Sequence, residues 1–109
     1  MASPVIPAGG VIRVSHATFD PSRLSDVERM LRDTSTYLRP AIERLEGLLG
    51  YFAGASRDGS VVAVSLWDTD AHASQMASLK EMTVDARKEA EAAGVSPPAI
   101  VNHPLAWQI

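Results

Sequence analysis

Apolar residues are grouped along the chain into four short runs, each typical of a β-strand. We predict strands at residues 11–19, 48–56, 61–67 and 99–109. The run at 61–67 is the clearest, and the run at 11–19 is rich in β-branched residues. The last run contains Pro104, whose missing backbone N–H is tolerated where a strand lies at the edge of a sheet.

Between the first two runs, apolar side chains recur every three or four residues, as on one face of an amphipathic helix. The face consists of Val27, Leu31, Thr34, Leu38, Ile42 and Leu45. Asp20 and Pro21 are typical of a helix start, since Asp caps the end and Pro suits the first turn. Pro40 predicts a kink or break just before it, because proline removes a helical hydrogen bond. Gly47 fits the C-cap.

A second amphipathic pattern follows the third strand and predicts one continuous helix ending at Gly94. Asp68 and Asp70 stand at its start, where a carboxylate caps the helix and faces the positive end of the helix dipole. Its apolar face consists of Ala73, Met76, Leu79, Thr83, Ala86, Ala90 and Ala93. The sequence Ser96-Pro97-Pro98 then breaks the chain before the last strand.

The predicted order of elements is β-α-β-β-α-β, which is the ferredoxin-like arrangement of an α+β sandwich. In this arrangement both helices cover the same face of the sheet, and the fourth strand lies at an edge. Residues 1–10 include two prolines and two glycines, and we predict a flexible leader there. Residues 11–109 are predicted to form a single domain.

The third strand is apolar on both of its faces. Val61, Ala63, Ser65 and Trp67 point to one side, while Val62, Val64 and Leu66 point to the other. Because the helices cover one face only, the second face would be left in water. Covering apolar surface stabilises by about 25 cal/mol per Å². We therefore predict a homodimer in which two sheets pack face to face as a dimeric α/β barrel.

Composition narrows the range of functions. The chain has 109 residues, a net charge of −3 and no cysteine, which excludes disulfides and thiolate chemistry. It carries no basic run, so no nucleic-acid partner is predicted. No apolar stretch approaches the length of a membrane span, and residues 1–10 lack the pattern of a signal peptide. We predict a cytoplasmic protein with no membrane partner.

Several short motifs resemble one family. They are Phe19-Asp20-Pro21-Ser22, Gly47-Leu48-Leu49-Gly50-Tyr51, Asp58-Gly59, and the stretch VSLWDTDA at residues 64–71. In these motifs the chain is similar to the dimeric α/β-barrel superfamily and, within it, to the antibiotic biosynthesis monooxygenase (ABM) domain. The resemblance implies a ferredoxin-like dimer. It also implies one of two activities known in that family, cofactor-free oxidation of anthrone-like phenols to quinones or degradation of haem.

The family's working residues are only partly present. The quinone-forming members resemble this chain at Trp67 and at Arg87, but their Asn four residues before the Trp corresponds to Ala63. The haem-degrading members place a His nine or ten residues after the Trp, where Met76 and Ala77 stand here. The resemblance therefore favours a cofactor-free enzyme over a haem enzyme, and no cofactor is predicted.

The predicted catalytic residues are Trp67, His72 and Arg87. Trp67 would stack on an aromatic substrate, His72 would act as a base, and Arg87 would hold an anion. The alternatives are a core aromatic for Trp67 and a solvated helix residue for Arg87. The predicted substrate-binding residues, in a pocket between helices and sheet, are Ser15, Tyr51, Ser65 and Met76. Met76 and Tyr51 also fit a purely packing role.

No metal site is predicted, because the histidines lack the spacing of a ligand set. His16 and His103 are nevertheless expected to be neighbours on adjacent strands. The sequence favours an ABM-like cofactor-independent monooxygenase, an oxidoreductase acting on a small aromatic or enolisable molecule. The alternatives are a non-catalytic small-molecule binder or stress-response barrel, and a structural partner module.

Overall fold

The computed structural model of the protein describes residues 6–109. Four strands and three α-helices make up its regular structure. They are β1 (Val11–Thr18), α1 (Leu24–Glu43), β2 (Leu48–Ala55), β3 (Ser60–Trp67), α2 (Asp70–Ala73), α3 (Arg87–Ala92) and β4 (Ala99–Pro104). Short 3₁₀ turns at Pro21–Arg23 and Ser74–Ser78 and a π-helical segment at Glu81–Ala86 complete the described elements.

The strands form one antiparallel sheet in the order β2-β3-β1-β4. This order, with the helices on one face, confirms the predicted ferredoxin-like α+β fold. β4 lies at the edge as predicted, and Pro104 is its last residue, so the missing donor interrupts no ladder. The chain leaves the strand after Pro104, and the Leu105 N–H donates to the carbonyl of Gly10 at 2.9 Å.

Helix α1 continues through Pro40, so of the predicted kink or break the break is wrong. Pro40 and Thr36, whose carbonyl loses its helical donor, both lie on the exposed side of the helix. The cost of the missing hydrogen bond is small there, since water can replace the donor. The C-cap of α1 is Arg44, so the predicted C-cap at Gly47 is wrong. Gly47 instead adopts a φ of +76° in the turn that leads into β2.

The predicted second helix is broken into pieces, and this is a correction. Leu79 adopts an extended conformation (ψ 106°) between the 3₁₀ turn and the π-helical segment. Met76, Leu79 and Met82 all pack into one cluster around Trp67. They reach this cluster from three different backbone conformations, a 3₁₀ turn for Met76, an extended residue for Leu79 and the π-helical segment for Met82. Gly94 still ends the helical region, with a φ of +90°.

The core has two clusters between the helices and the sheet. One surrounds Trp67, which is fully buried with Val11 and Ile42. The other surrounds Phe19 and Val27 at the opposite end of the same strands and of α1. The middle of the layer between them is the position of the candidate site.

The predicted leader lies partly on residues 1–5, outside the described residues. Ile6 is buried, and its backbone exchanges two hydrogen bonds with the side chain of Gln108. Within residues 6–109 the helices are too short or too polar to cross a membrane.

Candidate functional site

A cavity of about 890 Å³ lies between the helices and the sheet, within the size range of small-molecule sites. Helix α1 provides one wall, which includes Leu31, Thr34 and Leu38. The π-helical segment and α3 provide the other wall, with Met82 and Arg87 among its residues. The sheet forms the floor.

The cavity exists because the middle of the floor is made of small side chains. Ala53 on β2 pairs with Ala63 on β3, which in turn pairs with Ser15 on β1. Three neighbouring strands therefore contribute at most a methyl or a hydroxymethyl group at this level. The walls on either side are held apart by larger core residues, so the space above these side chains stays open.

One row of the floor is polar across the whole sheet. Tyr51 on β2 pairs with Ser65 on β3, Ser65 pairs with Arg13 on β1, and Arg13 pairs with Asn102 on β4. We call these four residues the polar row. Its side chains share the helix-facing side, because they stand in register with one another, and Tyr51, Ser65 and Arg13 line the cavity.

A chain of hydrogen bonds holds Arg13 in place. Its Nη1 donates to Oδ1 of Asn102 at 3.0 Å, and Nδ2 of Asn102 donates to Oδ1 of Asp70 at 3.1 Å. Burial lowers the pKa of Arg13, although the nearby Tyr51 and Asp70 act in the opposite direction. Burial also raises the pKa of Tyr51, against the effect of Arg13. At neutral pH the row thus offers a guanidinium cation and a neutral phenol.

Trp67 does not line the cavity. Its side chain is fully buried, and its Nε1 donates to Oγ of Ser65 at 2.8 Å. The predicted stacking of Trp67 on a substrate is therefore corrected, since protein atoms enclose the indole. Trp67 is instead a core aromatic residue whose N–H is hydrogen-bonded, as the alternative stated. It affects the cavity by orienting Ser65.

His72 also lies outside the cavity, at the surface end of α2. Its Nδ1 is 2.7 Å from Oδ1 of Asp68, and its Nε2 is 3.4 Å from Oε2 of Glu46. The hydrogen bond to Asp68 is the main cause that raises the pKa of His72; burial acts against it, and the charges of Asp68 and Glu46 add smaller raising effects. A histidine occupied by two carboxylates at the surface does not reach a substrate in the cavity, so its predicted role as base is corrected.

The remaining predicted residues meet in the cavity. Ser15, Tyr51, Ser65, Met76 and Arg87 all line it. Met76 is at the same time buried in the cluster around Trp67, as its packing alternative required. The predicted substrate-binding set thus surrounds one space, although only Arg87 of the predicted catalytic set reaches it.

Arg13 was missed by the sequence analysis. The signal was available, because Arg13 alternates with Val11 and Ser15 on the buried side of a central strand. A charge on that side of a strand is unusual and points to a ligand or an ion pair. The motif comparison drew attention to Trp67 instead.

His16 and His103 are not neighbours, which corrects the prediction. His16 pairs with Ala99, and His103 pairs with Ile12, so the two lie four positions apart along the strands. Both also face away from the helices. Among residues 6–109, no three His, Asp or Glu side chains are placed to hold a metal ion.

Comparison with known proteins rests on structure, because no family model and no curated protein sequence matches this chain. A protein from Deinococcus radiodurans, provisionally named an antibiotic biosynthesis monooxygenase, superposes with a TM-score of 0.69 at 16% identity, over 91% of this chain and 95% of that chain. SnoaB, a cofactor-independent oxygenase from Streptomyces nogalater, superposes with a TM-score of 0.63 at 17% identity, over 94% of this chain and 97% of that chain.

A dimeric ferredoxin-like protein from an uncultured marine organism gives a TM-score of 0.64 at 12% identity, over 93% of this chain and 91% of that chain. Each of these structures matches the described elements over nearly their full length. At such identities the likeness concerns the fold alone. The chain therefore has the ferredoxin-like fold of structures named as antibiotic biosynthesis monooxygenases, as its motifs predict.

Proposed function

We propose that the cavity binds a small aromatic or enolisable molecule and that the protein oxygenates it without a cofactor. The observation that carries this proposal is the cavity itself. Its walls are mainly apolar, yet Arg13 and Arg87 both line it, and neither forms an ion pair within the described residues. Such a site favours a flat apolar body that carries or develops negative charge.

The chemistry needs a substrate that ionises readily. Loss of a proton gives a phenolate or enolate, which the unpaired guanidinium of Arg87 stabilises. The proton leaves to water or to the carboxylates of Glu43 and Glu91, which line the exposed edge of the cavity. The carbanion passes one electron to O₂, and recombination forms a peroxide. A substrate CH₂ group thereby becomes C=O, and the second oxygen atom leaves with the two hydrogens as water.

The fold comparison supports this reaction class, since SnoaB is a cofactor-independent oxygenase with the same fold. Two observations favour a second candidate, a small-molecule binder without turnover. Ala63 in the floor offers only a methyl group where an amide could bond a substrate oxygen. The cavity-lining residues also include no histidine to serve as a base.

We also propose that the protein is a homodimer. The sheet face without helices carries an apolar row of Phe52, Val64, Val14 and Val101 across all four strands. Phe52 is 61% exposed and Val101 51% exposed. A second copy packed on this outer face would remove these side chains from water. The dimeric protein of the same fold supports this arrangement.

Oxygen consumption tests the proposed reaction. We expect uptake of one O₂ per molecule of an anthrone-like or quinol substrate, and Arg87→Gln should reduce the rate by about 10²-fold because it removes the stabilising charge. Arg57→Gln, in the exposed hairpin turn, is the matched control and should leave the rate unchanged. Binding without oxygen uptake across a broad panel would instead identify the non-catalytic binder, and failure to bind any panel member would contradict both candidates.

A further inference from the structure

Arg13 is a cation held in the floor of the cavity with few protein partners. A guanidinium carries five N–H donors. Within the described residues, Arg13 makes one side-chain hydrogen bond, to Asn102, and no carboxylate lies within ion-pair distance of it. Several donors are therefore free at a half-buried position on a central strand.

This arrangement is costly without a ligand. A charge taken out of water loses hydration, and proteins normally compensate for the loss with an ion pair or several hydrogen bonds. Burial is the main cause of the lowered pKa of Arg13, which agrees with a guanidinium that has few protein partners in the floor of the cavity.

Tyr51 adds a second free donor in the same row. It is separated from Arg13 by Ser65 only, and the charge of Arg13 acts on its pKa. The Tyr51 side chain lines the cavity, and its hydroxyl bonds to no other described residue; because no enclosed polar atom there lacks a partner, this hydroxyl is open to the cavity space. A phenol that remains neutral can donate its proton to an anion beside it.

We propose that the polar row binds the carboxylate of an aromatic acid, with Arg13 as the ionic anchor and Tyr51 as a second donor. This inference rests on the proposed function and names its substrate class. Asn102 and Asp70 are positioning residues, because they hold the guanidinium and do not line the cavity. The aromatic body of the ligand lies over Ala53 and Ala63, where the floor leaves room.

Charge and geometry favour a carboxylate over a phosphate. The planar guanidinium matches the two oxygens of a carboxylate in a bidentate pair. The charge of Asp70 also acts on Arg13 and offsets part of its positive field. The row therefore carries at most one positive charge, and the second negative charge of a phosphate monoester would find no partner in it and would meet repulsion from Asp70.

Calorimetric titration with a matched pair of ligands tests the proposal. The probes are naphthalene-2-carboxylate and the neutral naphthalene-2-carboxamide, which have the same body and nearly the same shape. At about pH 7 the acid is ionised. We expect the wild-type protein to bind the carboxylate about 10-fold or more tightly than the amide, as charge-assisted hydrogen bonds imply.

Variants distinguish a role of Arg13 in binding the carboxylate from a role in stabilising the fold. Arg13→Met should abolish the preference while leaving the amide affinity within about 2-fold, because the aromatic body keeps its contacts. Its melting temperature should stay close to or above that of the wild type, since a half-buried charge with one hydrogen-bonding partner is replaced by an apolar side chain. Asn102→Ala should lower the carboxylate affinity alone, and Arg57→Met in the exposed turn should change neither affinity.

Each other outcome overturns the inference. Equal wild-type affinity for the two probes would support a cavity that binds the aromatic body and would contradict the carboxylate site. Binding of neither probe would contradict the carboxylate site, and the oxygen-uptake panel would then decide the proposed function separately. A marked loss of stability in Arg13→Met, with both affinities reduced together, would show that Arg13 is structural.

Discussion

Trp67 influences the site through a single hydroxyl group. Its Nε1 donates to Ser65 Oγ, and Ser65 stands between Tyr51 and Arg13 in the polar row. Because a serine hydroxyl has one proton and two lone pairs, accepting from the indole leaves its own proton free to donate. The indole therefore biases Ser65 toward donation and adds to the positive character of the floor.

Replacing this indole tests its role as a core residue. Trp67→Phe should lower the free energy of unfolding by about 1 to 3 kcal/mol, because it leaves a void and removes a buried hydrogen bond. Chemical denaturation measures the change. Trp107→Phe is the matched control, since Trp107 is 77% exposed, and it should leave stability unchanged. An unaltered midpoint in Trp67→Phe would contradict the assignment of Trp67 to the core.

His72 should make stability depend on pH. Its pKa is raised in the folded protein by Asp68 and Glu46, so the protonated form binds more favourably in the folded state than in the unfolded state. The contribution of protonated His72 to folding stability is fully present below the ordinary histidine pKa of about 6.5. It is lost as the pH rises through the higher pKa of the folded state.

The difference in melting temperature between the wild type and His72→Gln should accordingly be larger at acidic than at alkaline pH. Thermal unfolding on both sides of neutrality measures it, and an NMR titration should give His72 a pKa above about 6.5. Arg57→Gln, in the exposed hairpin turn, serves as the control. A difference that grew with rising pH would contradict the ion pairs with Asp68 and Glu46.

At the scale of elements, the turn between α1 and β2 and the start of α2 form one unit. The Asp68 N–H donates to the carbonyl of Gly47 at 3.0 Å, and Gln75 exchanges two hydrogen bonds with the backbone of Glu46. A methyl group on Gly47 would meet the side chains of both Asp68 and His72. Gly47 therefore allows the close approach as well as the positive φ.

Gly47→Ala should destabilise the protein by at least about 1 to 2 kcal/mol, the cost of a left-handed conformation for a residue with a Cβ. Equilibrium unfolding measures this loss. Gly54→Ala provides a matched comparison, because a Cβ there has nothing within 4 Å and the φ of Gly54 is not positive. Equal effects of the two substitutions would contradict the packing of this turn against Asp68 and His72.

The elements could be predicted from sequence where the hydrophobic period was clear. The strands and α1 followed from local patterns, and the order of elements then defined the topology. The region from Asp70 to Ala92 could not be predicted in the same way. Its apolar residues fit one continuous helix, but Met76, Leu79 and Met82 pack around Trp67 from a 3₁₀ turn, an extended residue and a π-helical segment.

The candidate site divides along similar lines. Ser15, Tyr51, Ser65, Met76 and Arg87 follow from the sheet pairing and the motifs, and all of them line the cavity. The positions of Trp67 and His72 depend on rotamers and ion pairs that the sequence does not contain. The motif predicted that Trp67 belongs to the site, whereas in the structure its ring points into the core and contacts the cavity-lining Ser65.

At the scale of the whole molecule, the two faces of the sheet have opposite characters. The helix side is hollow and carries the polar row, while the outer face is apolar and uncovered. A site that needs rigid strands benefits from a second sheet packed behind it, because the floor can then no longer flex freely. Dimerisation and ligand binding should therefore be linked.

Light scattering on a sheet-face variant tests the dimer. The wild-type protein should have the mass of two chains at micromolar concentration, and Phe52→Asp should have the mass of one, because it places a charge in the apolar outer face. Val84→Asp is the control, since Val84 is 53% exposed on the helix side of the molecule. A wild-type monomer would contradict the proposed homodimer.

The polar row makes the site a property of strand register. Each of its four members comes from a different strand, and their meeting depends on the inward or outward alternation of every strand. Deleting one residue in β1 ahead of Arg13 would send the guanidinium to the outer face and bring Val14 into the cavity. A one-residue shift of register in β1 would thus remove the cation from the binding site and place a charge on the apolar outer face. Such a deletion would therefore impair ligand binding and dimerisation together.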